Sequence, residues 1–122
     1  METRHWPTEL RLKDGGRALS VAFEDATFAM SAEYLRVSSP SAEVQGHTAA
    51  EKRTVGGKRR VLIAAVEPVG RYAVKLVFDD GHDSGLYTWD YLHELGAGHD
   101  AKWARYLGEL EAKRLSRDVP SL

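Results

Sequence analysis

The chain has 122 residues, no cysteine, and 17 Lys plus Arg against 18 Asp plus Glu. That length suits one domain, residues 1–122, with a core large enough to stand without covalent staples. The missing cysteines exclude disulfides, thiolate metal sites and a cysteine nucleophile, and the balanced charge argues against broad capture of nucleic acid or an anionic membrane.

Met1 to Pro7 has no apolar signal-peptide core, and no apolar run nears the roughly 20 residues of a membrane span. The expectation is a cytoplasmic protein with no membrane partner. Leu10 and Leu12 alternate with charged residues as in a strand, and Asp14-Gly15-Gly16 marks a turn. Leu19, Val21 and Phe23 alternate with small residues, which is the period of a strand with one buried face. Thr27 to Met30 reads as a third strand, followed by Ser31 as the cap of a short helix anchored by Tyr34 and Leu35.

From Ser38 to Arg60 apolar periodicity vanishes and Gly, Lys and Arg dominate, which predicts one long loop. Val61 to Val66 is a continuous apolar run and reads as a central strand buried on both faces. After Pro68-Val69-Gly70 the alternation Tyr72, Val74, Leu76, Phe78 completes an antiparallel hairpin, expected to be the most buried pair. The core expectation is Leu62, Ala64, Val66, Val74, Leu76 and Phe78, with Leu19, Val21, Phe23, Tyr34 and Trp89. Ser84 to Tyr87 adds a brief strand. Thr88 caps a helix ending at Gly96, and Asp100 caps the last helix. On that helix Trp103, Tyr106, Leu107 and Leu110 form one apolar stripe, expected to pack on the domain or on a second copy, so the chain is a monomer or a homodimer. Lys113, Arg114 and Arg117 complement the helix dipole, and the residues from Asp118 onward read as a frayed tail. The fold class is α+β: a two-layer sandwich, mainly antiparallel sheet with helices on one side and a C-terminal helix.

Two polar stretches stand out. Asp79 to Asp90 carries carboxylates, a histidine and hydroxyls between a buried strand and a helix. Ser38 to His47 leaves a helix and carries Glu43 and His47. Turn chemistry accounts for much of both, and one histidine per loop falls short of the three or four ligands of a stable metal site.

Tyr34-Leu35-Arg36, then Ser39-Pro40-Ser41-Ala42-Glu43-Val44-Gln45-Gly46-His47, then Glu67-Pro68-Val69-Gly70, then Phe78-Asp79-Asp80-Gly81-His82-Asp83-Ser84-Gly85-Leu86-Tyr87 with Trp89-Asp90-Tyr91-Leu92, recur in order. Together they resemble the stand-alone bacterial form of the gamma-butyrobetaine hydroxylase-like N-terminal domain, a domain of unknown function, over about residues 8–96; residues 97–122 lie outside the match. In the hydroxylases this domain carries a structural zinc held by three cysteines and a histidine. Carried over, the cysteines fall at Ser39, Ser41 and Val44 and the histidine at His82. Serine hydroxyls and a valine do not replace thiolates, so the resemblance implies no such zinc here and no cofactor. The oxygenase domain has no counterpart in the chain, so hydroxylation is not implied. Relatives attached to iron–sulfur cluster carrier ATPases imply an accessory role in iron–sulfur metabolism, with such an ATPase as the protein partner.

The leading expectation is a non-catalytic binding or accessory module. Its functional surface is drawn from Arg36, Glu43, His47, His82, Asp83 and Trp89. The alternative is a metal-binding domain with a cryptic site at His47 and His82, where Glu43 and Asp83 supply oxygens to iron, zinc or manganese. No nucleophile and base, paired carboxylates or phosphate loop stands at a recognisable spacing, so no catalytic residue is assigned.

Overall fold

A computed structural model describes residues 2–46 and 52–119. The chain is α+β, but the strands form two three-stranded antiparallel sheets where one was expected. The first contains β1 (Pro7–Lys13), β2 (Ala18–Phe23) and β3 (Thr27–Ser31) in sequence order. Helix α1 (Ala32–Val37) and the single turn α2 (Ala42–Gln45) follow. The second sheet contains β4 (Ile63–Val69), β5 (Ala73–Phe78) and β6 (Leu86–Thr88), and α3 (Trp89–Ala97) and α4 (His99–Ala112) close the chain.

The two middle strands hold the core. In β2, Leu19, Val21 and Phe23 are buried, and in β5 Val74, Leu76 and Phe78 are buried. These six join Tyr34, Leu35, Tyr87, Leu92 and Leu95 in one cluster, so both sheets and two helices share a single apolar interior. Strand β5 is largely buried, whereas its partner β4 is an edge strand rather than the central one expected, with Ile63 its one buried residue. Its phase was also misread. Val61 and Ile63 point inward, whereas Leu62 is half-buried and Ala64 exposed. A bulge lies behind this: Ile63 pairs with Phe78 but Ala65 pairs with Val77, leaving Ala64 extra. An extra residue shifts the period-two pattern, so Val66 again packs against the core. Trp89 is only half-buried and packs at the core's margin.

Caps set the helix starts. Ser31 Oγ accepts the Tyr34 N–H at 3.0 Å and Thr88 Oγ1 accepts the Tyr91 N–H at 3.1 Å. Gly96 does not stop α3, which runs on to Ala97. Its role is close approach: a Cβ there would overlap the ring of Phe28 on β3. Asp100 does not cap α4 either; Gly98 occupies that position and offers no side chain. The stripe on α4 turns Tyr106 and Leu110 against Val37, with Val55 and Trp103 alongside, while Leu107 stays 38 % exposed. Helix α4 ends at Ala112, so Arg114 and Arg117 lie beyond it, and Arg114 takes a left-handed φ of 56°. Past the helix, Ser116 and Arg117 carbonyls accept the N–H groups of Gly57 and Arg59 at 2.8 and 3.0 Å. Of the tail expected from Asp118 onward, Asp118 pairs with Arg59, Val119 is exposed, and residues 120–122 lie outside the described residues. Among the described residues no helix is long and apolar enough to cross a membrane.

Candidate functional site

Two loops meet at the end of β5. One leaves α1 at Ser38 and re-enters a helical turn at Ala42; the other runs from Phe78 to Gly85. Ser41, not foreseen as a cap, begins α2 by accepting the Glu43 N–H at 3.2 Å. That turn aims the Glu43 carboxylate at the second loop. There the Phe78 N–H bonds the His82 carbonyl at 3.0 Å and Gly81 takes a φ of 90°, which folds His82 back over the sheet.

His82 is the hub. Its side chain is 3 % exposed, with Nδ1 3.1 Å from Glu43 Oε2 and Nε2 2.8 Å from Ser39 Oγ. An ionised carboxylate only accepts, so Nδ1 donates to Glu43, and in the neutral imidazole Nε2 then accepts from the Ser39 hydroxyl. Ser39 Oγ in turn accepts the Ser41 N–H at 3.2 Å. Around this chain the loops are tied again: Ser41 Oγ to Ser84 Oγ at 2.7 Å, Gln45 Nε2 to the Ser39 carbonyl at 2.8 Å, and Tyr91 to the Ser38 carbonyl. Below them Tyr87 donates to the Leu35 carbonyl, and burial holds that phenol's pKa well above its usual value, so it remains a neutral donor.

Asp80 forms a second knot. Its Oδ2 lies 2.8 Å from Arg36 Nε and 2.6 Å from Lys58 Nζ, and its Oδ1 accepts the His82 N–H at 3.0 Å. Burial of the side chain pushes its pKa upward, but the bonds from Lys58, the His82 N–H and Arg36 outweigh it and hold the carboxyl at about 2. Arg36 Nη1 is buried with no hydrogen-bond partner among the described residues.

The structure therefore brings Glu43 and His82 into contact and places Arg36 one residue away, through Asp80. Asp83 follows His82 but is exposed and outside the network. Trp89 does not belong here. Strand β6 runs antiparallel to β5, pairing Thr88 with Ala73, so it carries Trp89 to the far end of β5. There its indole N–H donates to the Arg71 carbonyl at 2.7 Å. His47 lies outside the described residues. Asp80, Lys58 and Ser84 were missed as participants. Asp80 stands out in the sequence only as part of a polar turn, and Lys58, 22 positions earlier, only as part of the basic end of the long loop.

Ser39, His82 and Glu43 have the connectivity of a nucleophile, base and acid. The Ser39 hydroxyl is closed to a substrate. Ser39 has no exposed surface, and at Gly85 a Cβ would already stand 2.5 Å from its Oγ. Clefts of about 620, 250 and 290 Å³ are lined by neither Ser39 nor His82. A thiolate-type zinc does not fit either. Ser39 and Ser41 spend their hydroxyls on His82 and Ser84, Val44 is buried as an apolar side chain, and both His82 nitrogens are engaged. Among the described residues no group of three or more His, Asp or Glu side chains is gathered to hold an ion.

The model of the "Gamma-butyrobetaine hydroxylase-like, N-terminal" family matches residues 10–93. The chain belongs to this family. Two relatives solved by NMR in solution are 45 % and 44 % identical, with TM-scores of 0.83 and 0.79; the matches cover 97 % and 98 % of this chain and 94 % and 92 % of theirs. A crystal structure from Acidithiobacillus ferrooxidans, described as a protein of unknown function in the DUF971 family, is 39 % identical, with a TM-score of 0.62 over 75 % of this chain and 92 % of its own. A comparison with curated proteins found no match. In this family member the two loops are joined through serine hydroxyls, an imidazole and carboxylates.

Proposed function

We propose that this domain is a non-catalytic, cytoplasmic binding module, accessory to proteins of iron–sulfur cluster metabolism. The observation that supports it is the use of the chemistry-bearing side chains by the fold itself. Both nitrogens of His82 and the Ser39 hydroxyl are committed to loop-to-loop bonds, which leaves rigid loops rather than a reaction centre. On the outer side of that knot stand Glu43, whose side chain is 71 % exposed, and Asp83. Two carboxylates on ordered loops suit recognition of a basic surface on a protein partner. The iron–sulfur assignment rests on the family resemblance, which points to a cluster carrier ATPase.

The test is retention of a purified cluster carrier ATPase by the immobilised domain. Wild type is expected to retain it, and the Glu43→Lys/Asp83→Lys double variant to lose it while keeping its circular dichroism spectrum. Equal retention by the variant, or none by wild type, counts against the reading. The alternative, a metal site at His47 and His82, requires an ion to displace Ser39 or Glu43 from the imidazole. Stoichiometric metal in untagged protein, lost in His82→Ala, would favour it.

A further inference from the structure

A cleft of about 620 Å³ lies between the end of the first turn, the start of α1, the chain entering β4, and α4 with the segment after it. Four arginines line it, Arg17, Arg59, Arg60 and Arg117, with one acid, Glu33. Nothing in the function proposed above uses it.

Glu33 is already committed. Arg117 grips its carboxylate through Nε and Nη2 at 2.8 and 2.6 Å, and the same guanidinium sits 5.2 Å above the Trp103 ring. Arg59 faces Asp118 at 2.6 Å. Arg17 and Arg60 are exposed and make no ion pair with a described residue. Two of the four cations are therefore uncompensated within one concave wall, on a chain whose formal net charge is −1. Concave walls focus the field of such charges on whatever enters. A guanidinium fork matches the oxygens of a phosphate in pairs, with bonds stronger than those between neutral groups. Val61, Leu62 and Trp103 add an apolar part to the lining. The volume lies within the roughly 300–1,000 Å³ of small-molecule sites, more than one oxyanion fills.

We propose that this cleft binds a small organic phosphate, with Arg17 and Arg60 holding the phosphate and the Val61, Leu62 and Trp103 side holding the remainder. Arg117 is the positioning residue: clamped to Glu33 and laid on Trp103, it keeps the floor rigid. The site is independent of the Glu43 and Asp83 surface.

The test is a nitrogen-15 NMR titration of the whole chain with AMP, inorganic phosphate and citrate, each against potassium chloride at matched ionic strength. AMP is expected to shift the amides of Arg17, Arg60 and Leu62 and the Trp103 indole N–H saturably, with a dissociation constant of about 1 mM or tighter. Inorganic phosphate should bind the same residues at least about tenfold more weakly, since it leaves the apolar wall unused. Arg17→Gln/Arg60→Gln should weaken AMP at least about tenfold by removing two nearby charges. Arg71→Gln, an exposed arginine in the β4–β5 turn, should change nothing. The proposal falls if AMP gives no saturable shift, or if the double variant binds AMP as wild type does. It also falls if citrate binds as tightly as AMP, or if a single-stranded oligonucleotide of equal phosphate concentration binds more tightly.

Discussion

Asp80→Asn tests whether the charge knot, rather than the turn shape alone, holds the His82 loop. Asparagine keeps the size and an acceptor for the His82 N–H, but it removes the negative charge shared by Arg36 and Lys58. The native carboxyl is held at about 2 against an ordinary 3.8. That difference corresponds to about 2 kcal/mol of stability at neutral pH. The Asp80 backbone is open to water but its side chain is only 18 % exposed, so screening takes a small share. Stranding the buried Arg36 guanidinium adds to the loss, for a total of about 2–3 kcal/mol. For a chain of this length that lowers Tm by roughly 6–15 °C. The pH dependence has a definite sign. A depressed carboxyl contributes fully above its unfolded value and loses that contribution as pH falls through its folded value. The gap between wild type and variant should therefore be full at pH 7, begin to close below about 4, and shrink to a fraction near pH 2. Urea unfolding at stepped pH measures the gap, and carbon-13 NMR of the Asp80 carboxyl locates its titration directly. A gap below about 0.5 kcal/mol at pH 7, or one unchanged by acid, refutes the reasoning.

Three further outcomes follow from the fold. A strong chelator should leave Tm unchanged, since the donor set at Ser39, Ser41, Val44 and His82 is unsuited to thiolate-type zinc; a drop of several degrees in a thermal scan would contradict this. Gly96→Ala should destabilise by about 1–3 kcal/mol in urea, because its methyl meets the Phe28 ring, despite alanine's better helix propensity; a stabilised variant would place the α3–β3 contact elsewhere. On α4, Leu110→Ala should cost about 2–5 kcal/mol and Leu107→Glu less than about 0.5, with unchanged sedimentation across concentration; a large effect of Leu107→Glu would mean that its face packs on a second copy.

Local chemistry was legible wherever it acts within a few residues. The alternation in Leu19, Val21 and Phe23, and in Val74, Leu76 and Phe78, named the buried faces of the two middle strands, because side-chain period follows directly from strand geometry. Ser31 and Thr88 were readable as caps, since a cap bonds its own first turn. Other features depended on neighbours distant in sequence. The bulge at Ala64 exists only relative to β5, and it reversed the face of Leu62 and Ala64. Gly96 looks like a helix stop until Phe28, 68 residues away in sequence, is set against it.

The candidate surface divides along the same line. Residue types and motif order placed Glu43, His82, Ser39 and Ser41 in loops of interest. Nothing in the chain order says that Asp80 would take both Arg36 and Lys58, or that Arg17, Arg60 and Arg117 would line one cleft. Nor does it say that the hydroxyl of Ser39 would be closed off beneath Gly85. Periodicity and capping are short-range consequences of backbone geometry, and a linear reading reaches them. Which charges meet, which hydroxyls are buried and which strand lies at an edge depend on how the sheets and loops dock, and that is set by packing across the whole chain.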